Sequence, residues 1–169
     1  MENNTNQQTK ILSHWKYTSK QWDEFVTIEK GNKKEDSIYF GIGILILGSL
    51  GLMVFRGTSF LMGLLFAIPL AILIPFLRMT ISYKHLRKGV KNPEVKITFE
   101  KLYINNNVVE LQNKNKRVKS MKIIEAKNNL KLLEFNVEWL TRKGPTNDEF
   151  RILIPDDKIE EAEKLITML

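Results

Sequence analysis

The sequence predicts a membrane-anchored α+β protein, in which a two-helix transmembrane hairpin is followed by a small antiparallel β domain and a C-terminal helix. Three observations lead to this fold class. Residues 37–77 form two uncharged runs that are separated by Arg56. From Glu94 onward, apolar and polar residues alternate with a period of two, as in half-buried strands. After Pro155 the apolar residues return to helical spacing.

The hairpin prediction comes from the length of the uncharged runs. Residues 37–55 and 57–77 are 19 and 21 residues long. At about 1.5 Å of rise per residue, each run makes roughly 28–31 Å of helix, which matches a bilayer core of roughly 30 Å. We therefore expect transmembrane helices over 37–55 and 59–77. A buried helical hairpin in a soluble protein is the alternative, although globular helices rarely run so long without a charge.

The distribution of Lys and Arg predicts the orientation of the hairpin. Because these residues are enriched on the cytoplasmic side, both termini are expected in the cytoplasm and the Arg56 turn outside. The predicted location is the cell (inner) membrane, as a multi-pass protein. The flanking cations are Lys20, Lys30, Lys33 and Lys34 before the first run, and Arg78, Lys84, Arg87, Lys88 and Lys91 after the second.

Small residues recur along both predicted spans. They allow two helix backbones to approach closely, and this contact drives helix association in lipid. We expect the two stripes to face each other, and the alternative is that one stripe faces a second copy of the protein. Pro69 is expected to kink the second span. The stripe residues are Gly41, Gly48 and Gly51 on the first span, and Gly63, Ala67 and Ala71 on the second.

The segment before the hairpin predicts a short strand and an amphipathic helix. Alternation over residues 11–17 favours a strand, which would need a sheet from the C-terminal domain to join. Thr18 and Gln21 have the spacing of a capping box, so a helix is expected to begin there. We expect this helix to stop or bend at Gly31, because glycine commonly ends helices.

Residues 94–169 predict a cytosolic β domain of about six short strands in an antiparallel meander. Asn105 and Asn128 are expected in turns, because Asn tolerates a left-handed backbone. Residues 143–145 are expected to form the last turn. The strands are expected near 94–100, 102–104, 108–111, 118–126, 130–141 and 149–154.

The C-terminus predicts an amphipathic helix that can plug the open end of the curled meander. Asp156 or Asp157 is expected to cap this helix, with Glu160 and Glu161 near its positive end. The helix stripe and the inner face of the sheet would then both be buried. The stripe residues are Ile159, Ala162, Leu165, Ile166 and Leu169.

Several short motifs carry a family resemblance through their order. They are Tyr17-Thr18 with Trp22-Asp23-Glu24-Phe25, Ile97-Thr98-Phe99, and Ile154-Pro155 before the last helix. Over about residues 11–169, mostly as architecture, the chain resembles the YcxB-like family of bacterial membrane proteins. The resemblance implies a pleckstrin-homology-like (PH-like) β-roll capped by the C-terminal helix, and it brings no catalytic residues. One departure is Lys119-Ser120, where such domains often have a Pro-Trp-like pair.

The predicted organisation follows from these elements. The segments are a disordered tail at 1–10, a strand and amphipathic juxtamembrane helix at 11–36, the hairpin at 37–77, a linker at 78–93 and the PH-like domain at 94–169.

The sequence offers no candidate active site, so we expect no enzyme, no cofactor and no metal. His14 and His85 are the only histidines, and neither has a partner at metal-ligand spacing. Both are expected to be ordinary surface or interfacial residues. The absence of cysteine excludes disulfides and thiolate metal sites. The predicted spans contain no Asp, Glu, Lys or His, so an ion or proton pathway is not expected.

One basic cluster is a candidate binding site. Residues 78–169 carry nineteen Lys and Arg against thirteen acidic residues. A basic loop of a PH-like barrel can hold an anionic headgroup through charge-assisted hydrogen bonds. A solvated loop is the alternative. The cluster lacks interleaved aromatic residues, so nucleic acid is not expected. It comprises Lys114, Lys116, Arg117, Lys119 and Lys122.

The predicted function is an inner-membrane-anchored PH-like binding or scaffolding module. It would engage a protein partner or anionic lipid headgroups at the cytosolic face. The expected partners are membrane lipids, together with a protein partner or a second copy. The alternative is a structural or regulatory subunit of a membrane complex that assembles through the hairpin.

Overall fold

The computed structural model describes residues 10–81 and 83–168. The chain divides into two units, and each is described separately. Met1–Ile28 with Arg87–Leu169 form the first, called here the β unit, and Glu29–Leu86 form the second, called the hairpin unit. The predicted disordered tail at 1–10 lies outside the described residues except for Lys10, and so does the predicted stripe residue Leu169.

Two long helices account for most of the hairpin unit. Helix α1 spans Ser19–Arg56 and helix α2 spans Phe60–Ile81. Gly57 has a φ of +66°, a left-handed conformation that glycine adopts without strain. Both helices are long and apolar enough to cross a membrane, and only 11% and 17% of their most apolar windows are buried. The two helices therefore present most of their apolar side chains outward rather than to a core within the chain.

The expected stop or bend at Gly31 is wrong. Helix α1 continues through Gly31, which has a negative φ and lies in open space, since a Cβ added there would meet no described atom within 4 Å. An interior glycine costs a helix only about 1 kcal/mol, and the many backbone hydrogen bonds of a 38-residue helix outweigh that cost.

The capping box at the start of α1 is confirmed. The backbone N–H of Gln21 donates to Thr18 Oγ1 at 3.2 Å, and the backbone N–H of Thr18 donates to Gln21 Oε1 at 3.1 Å. This reciprocal pair satisfies two amide donors that the first turn of a helix leaves without intrahelical partners.

The first sheet of the β unit contains four antiparallel strands in sequence order. They are β1 (Ser13–Lys16), β2 (Glu94–Ile97), β3 (Lys101–Ile104) and β4 (Asn107–Glu110). Strand β1 pairs with β2, and Trp15 lies opposite Val95. The predicted N-terminal strand therefore does join a sheet, and the chain between β1 and β2 contains the whole hairpin unit.

The second sheet contains three antiparallel strands. They are β5 (Lys116–Glu125), β6 (Lys131–Thr141) and β7 (Gly144–Leu153), with an irregularity in β5 between Val118 and Ser120. The predicted last strand began at 149, but β7 begins five residues earlier, at Gly144. Pro145 is compatible with this position because β7 is an edge strand, where a missing N–H breaks no ladder bond.

The Asn-rich turns have the predicted backbone conformation. Asn105 has a φ of +52° between β3 and β4, and Asn128 and Asn129 have φ values of +62° and +58° between β5 and β6. Left-handed conformations are tolerated by Asn better than by other non-glycine residues, so these turns set the strand boundaries.

Helix α3 spans Ile159–Thr167 and buries Ala162 and Leu165. The expected aspartate cap is wrong, because Lys158 occupies the N-cap position and makes no capping hydrogen bond through its side chain. A 3₁₀ turn over Asp156–Lys158 comes first, and its N–H at Lys158 donates to the Pro155 carbonyl at 2.9 Å. This extra turn moves both aspartates out of the N-cap position.

Aromatic residues form a large part of the core of the β unit. Trp15 and Trp22 are fully buried, and the Trp22 ring lies 5.5 Å from that of Tyr17 and 5.3 Å from that of Phe25. Trp22 Nε1 donates to the Arg87 carbonyl at 2.8 Å. These contacts attach the first turns of α1 to residues that follow the hairpin unit in sequence.

Candidate functional surface

The five predicted headgroup-binding cations do not form one open basic loop. Lys114 lies in the turn before β5, whereas Lys116, Arg117, Lys119 and Lys122 lie on β5 itself. Strand β5 pairs with β6 along its whole length, and two acidic residues of β6 face it, Glu134 and Glu138.

Three of these cations are held by buried carboxylates. Arg117 Nε donates to Glu138 Oε2 at 2.7 Å, and Lys119 Nζ lies 3.9 Å from Glu138 Oε1. Lys122 Nζ lies 3.0 Å from Glu134 Oε1. Glu134 and Glu138 are only 3% and 6% exposed, so their charges need these partners. These three cations and two carboxylates therefore form an ion-pair network on this face of the second sheet.

Arg151 of β7 completes the network around Glu134. Its Nε donates to Glu134 Oε2 at 2.7 Å. Burial acts to raise the pKa of Glu134, but hydrogen bonds from Arg151 and Lys122 outweigh burial and hold that pKa below its ordinary value. Glu134 is therefore ionised at neutral pH, and it joins all three strands of the sheet through side-chain contacts.

Lys116 makes a different contact. Its ammonium lies 3.9 Å from the centroid of the Trp139 ring, in a cation–π geometry. It also lies 4.0 Å from Glu110 Oε2, at the limit of an ion pair. Lys116 and Trp139 are cross-strand partners, so this pair marks the end of the β5–β6 ladder.

Three cations that form no ion pair among the described residues lie at the end of this ladder, together with exposed apolar residues. We call this end the β6–β7 tip and define it as Lys114, Trp139, Leu140, Arg142 and Lys143. Trp139 is 36% exposed and Leu140 is 56% exposed. Within the described part of the chain, Lys114, Arg142 and Lys143 form no ion pair.

Short backbone contacts fix the shape of the tip. The N–H of Leu140 donates to the Asn115 carbonyl at 2.8 Å, which holds the turn before β5 against the end of β6. Thr141 Oγ1 donates to the Gly144 carbonyl at 2.6 Å, and Gly144 has a φ of +116°. The three cations and the two apolar side chains therefore lie at one end of one sheet.

Sequence reasoning identified Lys114 but missed Trp139, Leu140, Arg142 and Lys143 as part of a surface. The available signal was the Trp139-Leu140 pair, since adjacent apolar residues at a strand end cannot both face a core. Two cations follow within three residues. Only the strand pairing shows that Lys114, 25 residues before Trp139, lies at the same end.

Two of the predicted packing glycines lie at direct backbone contacts within the hairpin. A Cβ on Gly41 would lie 2.9 Å from the Ala71 carbonyl oxygen, so the two backbones are in contact there. A Cβ on Gly63 would lie 2.8 Å from the Ser49 carbonyl oxygen, which is a second backbone contact. Both distances are shorter than real Cβ contacts allow, so a side chain at either position would force the two backbones apart.

Gly48 and Gly51 differ in whether α2 lies close to them. A Cβ on Gly48 would lie 3.4 Å from Ala67 Cβ, which is an ordinary packing distance, whereas a Cβ on Gly51 would meet no described atom within 4 Å. Gly51 is thus outside the α1–α2 contact. The expectation that the two stripes face each other is therefore wrong for Gly51.

The titratable groups that the structure describes do not assemble into a metal site. In residues 10–81 and 83–168, no group of three or more His, Cys, Asp or Glu is placed to hold a metal ion. His14 Nε2 lies 2.8 Å from Glu94 Oε2. His85 was expected at the surface but is only 6% exposed, so that part of the prediction is wrong. Burial and the charges of Lys33 and Lys84 lower the pKa of His85 to about 4.

Comparison of the chain with protein-family models, with curated proteins and with solved structures finds no match. The resemblance to the YcxB-like family therefore stays a prediction from the motifs and their order.

Proposed function

We propose that the chain is an integral membrane protein whose β unit, a PH-like domain, binds anionic lipid headgroups at the cytosolic face. The β6–β7 tip is the binding surface. The single observation that supports this proposal is the combination at the tip of cations that lack an ion pair among the described residues with an exposed tryptophan and leucine.

The anchor in this proposal is the hairpin unit. Its helices are long enough to cross a bilayer, and their apolar side chains face outward, for example Leu47 at 72% and Leu61 at 73% exposure. Such exposure is unfavourable in water and favourable in lipid. The cations outside the two uncharged runs favour a hairpin with both ends in the cytoplasm.

The chemistry of the tip suits an anionic membrane surface better than a second protein. Trp is enriched at the headgroup level, where its apolar ring and its polar N–H can both be accommodated. Each cation near an anionic surface contributes about 1 kcal/mol of attraction. Because the hairpin unit is inserted between β1 and β2, the β unit is tethered to the bilayer at both ends of the insertion.

The cations expected to bind the headgroup therefore differ from the five that the sequence predicts. Arg117, Lys119 and Lys122 are held by Glu134 and Glu138, and a headgroup would have to displace those carboxylates. Lys114, Arg142 and Lys143 have no such competitor among the described residues. A protein partner, or a complex that assembles through the hairpin, has less support because Gly41 and Gly63 are already used within the hairpin.

The test uses the intrinsic fluorescence of the full chain in lipid nanodiscs. Trp15 and Trp22 are fully buried, so a quencher attached near the lipid headgroup will act mainly on Trp139. We expect quenching in nanodiscs that contain phosphatidylglycerol and much weaker quenching in phosphatidylcholine alone. Added salt should reduce the difference, since exposed charges are screened.

Two matched triple variants complete this test. Lys114→Gln with Arg142→Gln and Lys143→Gln should reduce the quenching to the level of Trp139→Phe. Lys127→Gln with Lys131→Gln and Lys164→Gln removes three other exposed cations and should keep it. Equal quenching in both lipids, or equal loss in both triple variants, would contradict headgroup binding at the tip.

A further inference from the structure

An open groove of about 520 Å³ runs along one side of the hairpin. This volume lies within the range of roughly 300–1,000 Å³ that is typical of small-molecule sites. Its walls are apolar and come from both helices. The main wall residues are Ile38, Ile42, Leu45, Ile68, Ile72 and Phe76.

The floor of the groove is the α1–α2 contact itself. Gly41 and Ala71 line it, and neither has a side chain that can fill the space. A Cβ on Gly41 would contact the Ala71 carbonyl, so the backbones cannot approach further. The groove therefore follows from the close backbone packing of these two helices.

The length of the groove matches one leaflet of a bilayer. On α2 its apolar lining extends from Ile68 to Met79, which is about 16 Å at 1.5 Å of rise per residue. Leu45 lies near the middle of the uncharged run 37–55, and Ile68 lies near the middle of 57–77. The apolar part of the groove thus covers about half of a bilayer core of roughly 30 Å.

A cation, Lys34, lines the polar end of the groove. It precedes the first uncharged run by three residues and is exposed. Within the described residues it forms no ion pair. When the acyl chain of a phospholipid enters the bilayer core, its phosphate lies at about the depth of the Lys34 ammonium.

We propose that this groove binds one acyl chain of an anionic phospholipid of the cytosolic leaflet, with the phosphate held by Lys34. The inference rests on the proposed membrane anchoring but concerns a site separate from the β6–β7 tip. A chain of methylene groups fits an apolar groove of one-leaflet depth, and the negative headgroup complements the cation at its polar end.

The experiment is native mass spectrometry of the full chain after delipidation in detergent, with phosphatidylglycerol or phosphatidylcholine added back. Wild type should retain one phosphatidylglycerol, about fivefold more than phosphatidylcholine, because the choline cation offsets the phosphate charge. Lys34→Gln should remove this preference. Lys30→Gln removes an exposed cation one turn earlier and should leave it unchanged.

A second pair of variants tests the apolar part of the site. Ile42→Trp places a larger side chain in the groove wall and should reduce retention of both lipids. Leu47→Trp adds the same group at a position that is 72% exposed and outside the groove, and it should behave like wild type.

Three outcomes would overturn the inference. They are no retained lipid in wild type, equal retention in Ile42→Trp and Leu47→Trp, and a dimer that Ile42→Trp abolishes, which would assign the groove to a second copy. None of them alters the quenching of Trp139, so failure here is distinguishable from failure of headgroup binding at the tip.

Discussion

The β unit and the hairpin unit distribute their polar and apolar residues in opposite ways. In the β unit, Trp15 and Phe135 are buried, whereas Lys122 keeps 63% of its side chain exposed. In the hairpin unit, Leu47 is 72% exposed and Ser49 is fully buried. The contrast supports the proposal that the hairpin unit lies in lipid, whereas the β unit has the distribution of a domain in water.

The stabilising contacts differ in the same way. The second sheet of the β unit depends on side-chain charges, because Glu134 and Glu138 are buried beneath cations. The hairpin unit depends on the absence of side chains, because Gly41 and Gly63 bring backbone against backbone. Charge changes should therefore damage the β unit, and added methyl groups should damage the hairpin.

The largest effect on the free energy of unfolding is expected when Arg151 is removed. Arg151→Ala leaves the buried Glu134 with Lys122 as its remaining close cation, and breaking a buried pair should cost about 3 kcal/mol. Tryptophan fluorescence during urea unfolding can measure this, since all three tryptophans lie in the β unit. Arg142→Ala removes an exposed arginine and is the control. If both variants had the same unfolding midpoint, the network would not contribute to stability.

A smaller effect should appear as acid sensitivity of the hairpin unit. The pKa of His85 is about 4 when folded, against an ordinary value of 6.5, so the unfolded chain binds the proton first. The contribution of neutral His85 to the free energy of unfolding is therefore present in full above pH 6.5. It is lost as the pH decreases toward 4, and the loss between pH 7.5 and pH 5 is about 2 kcal/mol.

His85→Gln should remove this part of the acid sensitivity, because glutamine does not titrate. Thermal unfolding in detergent, followed by circular dichroism at several pH values, measures the difference. His14→Gln retains His85 and should keep the loss at low pH. An unchanged pH profile in His85→Gln would show that other groups cause the sensitivity.

The smallest effect in this series comes from one methyl group. Gly63→Ala would place Cβ 2.8 Å from the Ser49 carbonyl oxygen, so the helices must separate, at a cost of about 1–2 kcal/mol. Gly51→Ala adds the same methyl where no described atom lies within 4 Å, and it should be neutral or stabilising. Circular dichroism during titration with a denaturing detergent compares the two, and equal behaviour would argue against a close contact at Gly63.

The elements predicted from local signals were mostly right. The uncharged runs gave two long helices, the capping box at Thr18 formed, and the Asn105 and Asn128 turns are left-handed. Each of these depends on residues close in sequence. The failures at Gly31 and at the aspartates before α3 also have local causes, since a long helix tolerates one glycine and one extra turn displaces a cap.

The surface could be predicted only in part. Composition indicated a basic region, but it could not show which cations are paired with carboxylates. That depends on cross-strand register, which places Glu138 opposite Arg117 and Glu134 opposite Lys122 after the irregularity in β5. The sequence carries no simple signal for that shift, so the cations of the β6–β7 tip became visible as a separate surface only in the structure.

The central claim is that two apolar helices hold the β unit at the cytosolic face of a membrane. The chain contains no cysteine, so single cysteines can be introduced at Ser59 in the hairpin turn and at Asn106 in the β3–β4 turn. In intact spheroplasts, a membrane-impermeant maleimide should label Ser59→Cys but not Asn106→Cys, which should react only after permeabilisation. Labelling of Asn106→Cys in intact spheroplasts would contradict the account.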